Sequence, residues 1–369
     1  MDYEDSQAAT ATERIPLSSY QRAPGLQLDV HKFSSFVGFL VALLCGFIFA
    51  KYMQELHEVK LWFSHIKQVE QEISLRTEAG LYYSYFKMAT QPEMSLRNTF
   101  VALLHDTSTE YPREINVLQR FNVYQELILA TVYQILASYD WIRFFLPKPI
   151  LFYVYSCFAC AGFGITTLFL LSWMLNGSWI YGLLVFAWMT ANLDDSTRAF
   201  FTVNLRENFA LPFFWLQNMC TVAVLRSSSV ALKKYYLIYF FSTFFFSLFW
   251  QFNQSIGLVA TSMIMPQFAS AVIPLLLLQS LAFFLVVLAQ FAQPMAAASV
   301  CSVFNFSAIA VLSLTRKTKK NALVAVLCRF LFIFAVTAFA SWAIRYVINV
   351  EADSHIWTFV KAKIGLLPK

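Results

Sequence analysis

The chain has 369 residues, of which 59% are hydrophobic and 13% charged, with a formal net charge of +6. Soluble domains carry about a quarter charged residues, so a water-soluble globular fold is excluded. The positive balance does not indicate nucleic acid, because the basic residues sit between long apolar runs. A run of about 20 apolar residues can cross a bilayer, and several occur from Phe33 onward, without the short alternating segments of a β-barrel. The expected class is an all-α integral membrane protein, a polytopic helical bundle.

Residues 1–32 are polar and mixed in charge, with Pro16, Pro24 and Gly25, and read as a disordered tail. The apolar run 33–50 follows this tail and ends at Lys51-Tyr52-Met53, a poor cleavage sequence, so it reads as a retained span rather than a signal peptide. A long loop, 51–149, comes next. Within it Val59, Trp62, Phe63, Ile66, Val69 and Ile73 recur at helical spacing. The stretch 122–146 repeats the pattern with Tyr124, Leu127, Ile128, Val132, Ile135 and Leu136, then Trp141 and Phe144-Phe145. Both read as amphipathic helices, which either lie in the membrane interface or cap the bundle. Further spans are expected at 150–175, 179–193, 209–225, 235–252, 255–273, 274–292, 296–314 and 322–348, about nine with the first. The pair around Pro266 and Pro274 is alternatively one kinked or re-entrant element. A tail, 349–369, closes the chain.

Basic loops mark the cytosolic side. Arg226 with Lys233 and Lys234 forms one cluster and Arg316-Lys317-Thr318-Lys319-Lys320 another. An even number of expected spans separates them, so both fall on one side. Counting back puts the tail 1–32 on the cytosolic side. The loop 51–149, the loop 194–208 and the tail 349–369 fall on the opposite side. The six cysteines all lie in apolar runs, where thiols behave as small hydrophobes. Cys157-x-x-Cys160 therefore reads as helix packing. The histidines make no metal-ligand spacing, and no phosphate loop or nucleophile elbow is present.

Three constellations carry possible chemistry. Glu78 sits in Arg76-Thr77-Glu78-Ala79-Gly80-Leu81-Tyr82-Tyr83-Ser84-Tyr85-Phe86-Lys87, where polar residues meet a dense aromatic run. Taken alone, a carboxylate beside an arginine is a solvated ion pair. Aromatics beside it can also pack an organic substrate and desolvate the acid, raising its basicity. The second constellation is Asn192-Leu193-Asp194-Asp195-Ser196-Thr197-Arg198 with Asn204-Leu205-Arg206-Glu207-Asn208. Its two arginines either hold a phosphate or snorkel and pair with the nearby acids. Asp194-Asp195 is a weak invitation to a divalent metal. The third is a set of intramembrane polar residues: Gln251, Asn253, Gln254, Gln279, Gln290, Gln293, Asn305 and Arg329. They suit interhelical bonds or a transporter equally.

Four stretches together resemble the Dpy-type (dumpy-19-like) protein C-mannosyltransferase family. They are the 76–87 segment, Ile115-Asn116-Val117-Leu118-Gln119-Arg120-Phe121-Asn122-Val123-Tyr124, Thr197-Arg198 with Leu205-Arg206-Glu207, and Trp250-Gln251-Phe252. The resemblance implies a glycosyltransferase of the integral-membrane C type (GT-C) in the endoplasmic reticulum membrane, with the inner nuclear membrane as the alternative. It implies transfer of mannose from dolichyl phosphate mannose to carbon 2 of Trp in W-x-x-W or W-x-x-C stretches of secretory polypeptides. Glu78 would be the catalytic base, Arg198 and Arg206 the donor-phosphate ligands, and Tyr82, Tyr83 and Tyr85 substrate-binding residues. No metal and no cofactor is expected beyond the lipid-linked donor; the expected partners are membrane lipid, donor and Trp-containing polypeptide. The chain departs from the family's His-Gly-Glu at Leu193-Asp194-Asp195, where Asp195 would have to stand in for the Glu, and from its Pro-Pro at Val203-Asn204. Family members are longer, with further spans and a luminal C-terminal domain, so a fragment, a short form or a degenerate copy is expected. A non-catalytic membrane anchor or scaffold is the alternative function, and a transporter the third.

Overall fold

The computed structural model describes residues 24–197, 199, 202–226, 232–250, 269–293, 300–315, 323–348 and 363. Among these the secondary structure is helical, apart from a single bridge between Asp106 and Ile115. In chain order the helices are α1 (Pro24–Leu61), α2 (Gln68–Ser74), α3 (Glu78–Ala89), α4 (Leu96–Leu104), α5 (Val117–Arg120), α6 (Tyr124–Ala137), α7 (Asp140–Arg143) and α8 (Pro149–Asn176). There follow α9 (Ile180–Ala191), α10 (Leu193–Ser196), α11 (Arg206–Arg226), α12 (Leu232–Phe249), α13 (Ala269–Ala289), α14 (Val300–Thr315) and α15 (Leu323–Ile348).

Among the described residues, five stretches are long and apolar enough to cross a membrane: Ser34–Leu61, Pro149–Asn176, Arg206–Arg226, Ala271–Ala289 and Leu327–Ile344. They fall in α1, α8, α11, α13 and α15, on five of the expected spans. The expected short span 179–193 is the helix Ile180–Ala191, of 12 residues. At about 1.5 Å per residue it falls well short of a hydrocarbon core about 30 Å thick. The expected span 255–273 lies outside the described residues except for the start of α13. The first helix begins at Pro24, inside the stretch expected to be a disordered tail. Proline suits a helix start because its missing N–H has no partner there. The rest of that tail, the basic cluster 316–320 and nearly all of 349–369 lie outside the described residues.

Two small-residue surfaces let α1 and α8 cross closely. A Cβ on Gly46 would sit 2.6 Å from the Gly162 carbonyl oxygen, and one on Gly162 would collide with Gly46 in turn. Ala42 and Ala50 flank Gly46 at helical spacing, and the Thr166 hydroxyl donates to the Ala42 carbonyl at 3.3 Å. Such contact between backbones is how small residues join helices in lipid, where burial of apolar surface gives little drive. From α8 the bundle continues through α11 to α12, α13, α14 and α15, each packed on the last. At its C-terminus α8 stops on Gly177, whose φ of +77° closes the helix in the left-handed form that glycine permits.

The first helix runs on to Leu61, so the expected loop 51–149 begins only after it; residues 62–148 form a compact helical module, α2 to α7, seated on one end of the bundle. The expected helix through 59–73 is broken. Trp62 has φ +51°, and the Glu58 carboxylate accepts from the Ser64 backbone and hydroxyl at 3.0 and 2.9 Å. These bonds favour a turn over continuation of the helix. Phe63 is buried, while Trp62, Val69 and Ile73 stay exposed. The second expected amphipathic helix is present as α6, followed by the single turn of α7.

The segment 116–124 fastens the module down. The Asn116 side chain caps α5 by accepting from the Leu118 and Gln119 backbones. Gln119 donates to the Phe291 carbonyl at 3.1 Å and Asn122 to the Leu248 carbonyl at 2.9 Å. The Tyr124 hydroxyl donates to the Ala289 carbonyl. Each side chain supplies a donor to carbonyls at or beyond helix C-termini, which otherwise lack one. The C-terminal ends of α12 and α13 therefore both lie under the module. Arg226 sits at the opposite end of the bundle, donating to the carbonyls of Met174 and Leu175.

Candidate functional site

Glu78 begins α3 and is exposed. A carboxylate in the first turn of a helix is favoured by the unpaired N–H groups there. The preceding residue, Thr77, adopts φ +51° and ψ −124°. For a β-branched side chain this is a strained conformation, costing about 1–3 kcal/mol. The chain also passes close to itself: a Cβ on Gly80 would lie 2.9 Å from the Leu75 carbonyl oxygen. A tight, strained turn thus places Glu78 at the tip of a helix whose remaining residues are anchored. Its side chain makes no hydrogen bond or ion pair among the described residues.

The three tyrosines of the aromatic run divide between two environments. Tyr83 is 4% exposed and packs with Phe86 against Tyr153 of α8, at ring-centroid distances of 5.6 and 4.7 Å. Its hydroxyl lies 3.5 Å from Glu72, whose carboxylate pairs with Lys87 at 2.7 Å. Burial pushes the Glu72 carboxyl up, but the bonds from Lys87, Gln68 and Tyr83 outweigh it and hold the group below its ordinary range. Tyr85 is 6% exposed and bonds to Asp106 and Thr109; burial raises its phenol to about 12. Tyr83 and Tyr85 are therefore anchors of α3 inside the module. Tyr82, one turn beyond Glu78 on the same face, carries the Arg206 guanidinium 3.1 Å from its ring centroid. Burial raises the Tyr82 phenol, opposed by Arg206 and assisted by the charge of Glu78, so the hydroxyl stays protonated.

Arg206 opens α11 and is almost wholly buried, as is Glu126 of α6, at 8% and 1% side-chain exposure. Both Glu126 oxygens lie 2.9 Å from the same nitrogen, Arg206 Nη1. The Tyr153 hydroxyl donates to Glu126 at 3.0 Å and accepts from Asn204 at 2.8 Å. The same Asn204 amide donates to the Ala79 carbonyl at 2.9 Å, next to Glu78. Burial pushes the Glu126 carboxyl upward, with Arg206 the largest opposing influence. Three groups remain buried and unpartnered: Arg206 Nε, Arg206 Nη2 and Asn204 Oδ1.

On the other side of the α11 start lies a cavity of about 320 Å³. Its walls are apolar, from Ile165, Leu168, Leu211 and Trp215 among others, and Asp195, Thr197 and Glu207 give it a polar edge. Of the expected site residues, Glu78, Tyr82 and Arg206 are thus brought together and Asp195 stands apart at this cavity. Arg198 lies outside the described residues. Sequence reasoning missed Glu126 and Tyr153, and named Asn204 without a role. Glu126 had a legible signal: it is the one charged residue within Tyr124–Ala137. Tyr153 had none, being one aromatic in an apolar span.

A polytopic helical bundle capped by such a module is the class that the fold defines. Residues 43–369 match the family model described as Dpy19, Q-cell neuroblast polarisation, and the chain belongs to that family. It is 29% identical over 359 residues to the human protein named probable C-mannosyltransferase DPY19L4, covering 94% of this chain and 48% of that one. It is 32% identical over 235 residues to human protein C-mannosyl-transferase DPY19L1, covering 58% and 34%. To C-mannosyltransferase dpy-19 of Caenorhabditis elegans it is 33% identical over 195 residues, covering 47% and 28%. The chain spans about half the length of the first of these relatives or less.

Proposed function

We propose that the chain forms the membrane-embedded catalytic part of a protein C-mannosyltransferase. It would act in the endoplasmic reticulum membrane on dolichyl phosphate mannose and Trp in W-x-x-W or W-x-x-C stretches of secretory polypeptides. On this reading the helical bundle is of the GT-C type, and the module after the first span would lie on the luminal side. The single observation that carries this reading is the setting of Glu78. It is an unpaired carboxylate at a strained helix tip, one turn from a protonated phenol and an arginine. Membership of a family whose relatives bear the name C-mannosyltransferase supports it.

The chemistry follows from the acceptor. Carbon 2 of indole is not acidic, so no base is needed to start. The ring's π electrons attack the anomeric carbon of mannose, the C–O bond to the lipid phosphate breaks, and the phosphate leaves with that electron pair. The resulting cationic ring loses its C2 proton to Glu78 and regains aromaticity. Negative charge growing on the departing phosphate calls for fixed cations, the role of Arg198 and Arg206. Tyr82 would serve the site by holding the Arg206 guanidinium stacked on its buried ring, with Tyr83 and Tyr85 anchoring α3. The apolar cavity beside Thr197 suits part of a lipid-linked donor.

The test is transfer of mannose to a W-x-x-W peptide by membranes containing this chain and supplied with dolichyl phosphate mannose. Transfer is expected with wild type and lost with Glu78→Gln. If both are silent while the donor is present, the enzyme reading fails, and a stable partner recovered equally with both forms supports the non-catalytic anchor.

A further inference from the structure

Arg206 is held in an unusual way. Arginine–carboxylate pairs frequently meet fork to fork, two nitrogens on two oxygens. Here both Glu126 oxygens share Nη1, at 2.9 Å each. The other edge of the guanidinium, Nε and Nη2, is buried and makes no well-aligned hydrogen bond, although the Tyr82 hydroxyl lies close to the guanidinium. Buried donors in that state are rare in folded proteins and costly, and each asks for an explanation such as a bound ion. Replacing a buried ion pair by apolar residues is often neutral or better for stability. Glu126 lies in a helix that is otherwise uncharged and largely apolar, so stability alone does not account for the pair.

The surrounding contacts fix one orientation. Tyr82 sets the plane of the guanidinium from below. Tyr153 holds one Glu126 oxygen and is itself held by Asn204. Asn204 reaches the backbone of Ala79, beside Glu78. We infer that Glu126 is a positioning residue: by binding Arg206 through one nitrogen, it turns the guanidinium so that Nε and Nη2 serve the phosphate of the lipid-linked donor. This rests on the phosphate role proposed above for Arg206. Both nitrogens are enclosed, so the role requires the phosphate to enter between Arg206 and its neighbours. Glu126 itself touches neither substrate.

The experiment measures transfer kinetics of the full chain in nanodiscs, varying dolichyl phosphate mannose and peptide separately, for wild type, Glu126→Gln and Glu126→Asp. Glu126→Gln is expected to raise the KM for the donor about tenfold and to leave the KM for the peptide unchanged. Glu126→Asp is expected to recover part of that loss. A purely structural carboxylate would instead lower only the amount of folded enzyme, read by size-exclusion chromatography, leaving kcat per folded enzyme and both KM values intact. Should Glu126→Gln not fold, dolichyl phosphate binding to wild type and Glu126→Asp, read by native mass spectrometry, decides: weaker binding by the variant is expected. A folded variant with wild-type donor KM and wild-type dolichyl phosphate binding overturns the positioning role alone. Wild type that neither transfers mannose nor binds dolichyl phosphate overturns the proposed function and this role with it.

Discussion

The α1–α8 crossing and the Glu126–Arg206 centre both join separate elements, by opposite means. At the crossing, Gly46 and Gly162 bring two backbones together with no charge involved. Every atom there is satisfied by shape, and the contact has no chemistry to offer. At the centre, two ions are taken out of water and one is left with unpaired donors. A fold has no need of the second arrangement, and evolution has cheaper ways to join α6 to α11. The difference teaches where to look: glycine packing joins helices, whereas a buried ion pair with donors to spare, beside an exposed carboxylate at a strained turn, marks a candidate site.

Breaking the centre should cost most. Glu126→Ala leaves a buried guanidinium uncompensated, with an expected loss of about 3–5 kcal/mol, read as a lowered thermal midpoint in detergent or nanodiscs. Combining Glu126→Leu with Arg206→Met should restore most of that stability without restoring transfer, which separates folding from function. Overpacking the crossing comes next. Gly162→Leu drives a side chain into Gly46 and Ala50, with an expected loss of about 1–3 kcal/mol or more and no change in the donor KM of whatever folds. Tyr153→Phe removes the hydroxyl that links Asn204 to Glu126, for about 1–3 kcal/mol by the same midpoint.

The smallest effect is electrostatic and lies at the module's edge. Glu72 is held below its unfolded value, so its pair with Lys87 contributes stability above the unfolded carboxyl value of about 4.3 and loses it as pH falls through the lower folded value. Lys87 is half exposed, which limits the pair to about 1 kcal/mol. Lys87→Met should therefore lower the midpoint slightly at pH 7, and the gap to wild type should close below about pH 4.

Much of this was legible in the residues. Apolar runs located the five long spans, because lipid demands length and composition that water does not. The aromatic run at 76–87 and Arg206 pointed to the right neighbourhood. What composition could not convey was direction. Helical spacing puts Tyr82, Tyr83 and Tyr85 within one turn or so, yet the fold packs Tyr83 against α8, packs Tyr82 and Tyr85 into the α4–α5 region, and lays the Arg206 guanidinium over Tyr82. The break at Trp62 was hidden because the apolar spacing runs on through it, and only the Glu58–Ser64 bonds stop the helix. Asn204 stood out only as a departure from the family's Pro-Pro. Its amide makes two buried bonds that a proline, lacking a donor, cannot make.

The central claim is that Glu78 accepts the proton from a mannosylated indole. The direct measurement is fragmentation mass spectrometry of a W-x-x-W peptide after incubation with dolichyl phosphate mannose and either wild type or Glu78→Gln in nanodiscs. Mannose carbon-linked to the indole in the wild-type reaction alone is the predicted result. Equal carbon-linked product from the variant, or mannose found only on oxygen, would contradict it.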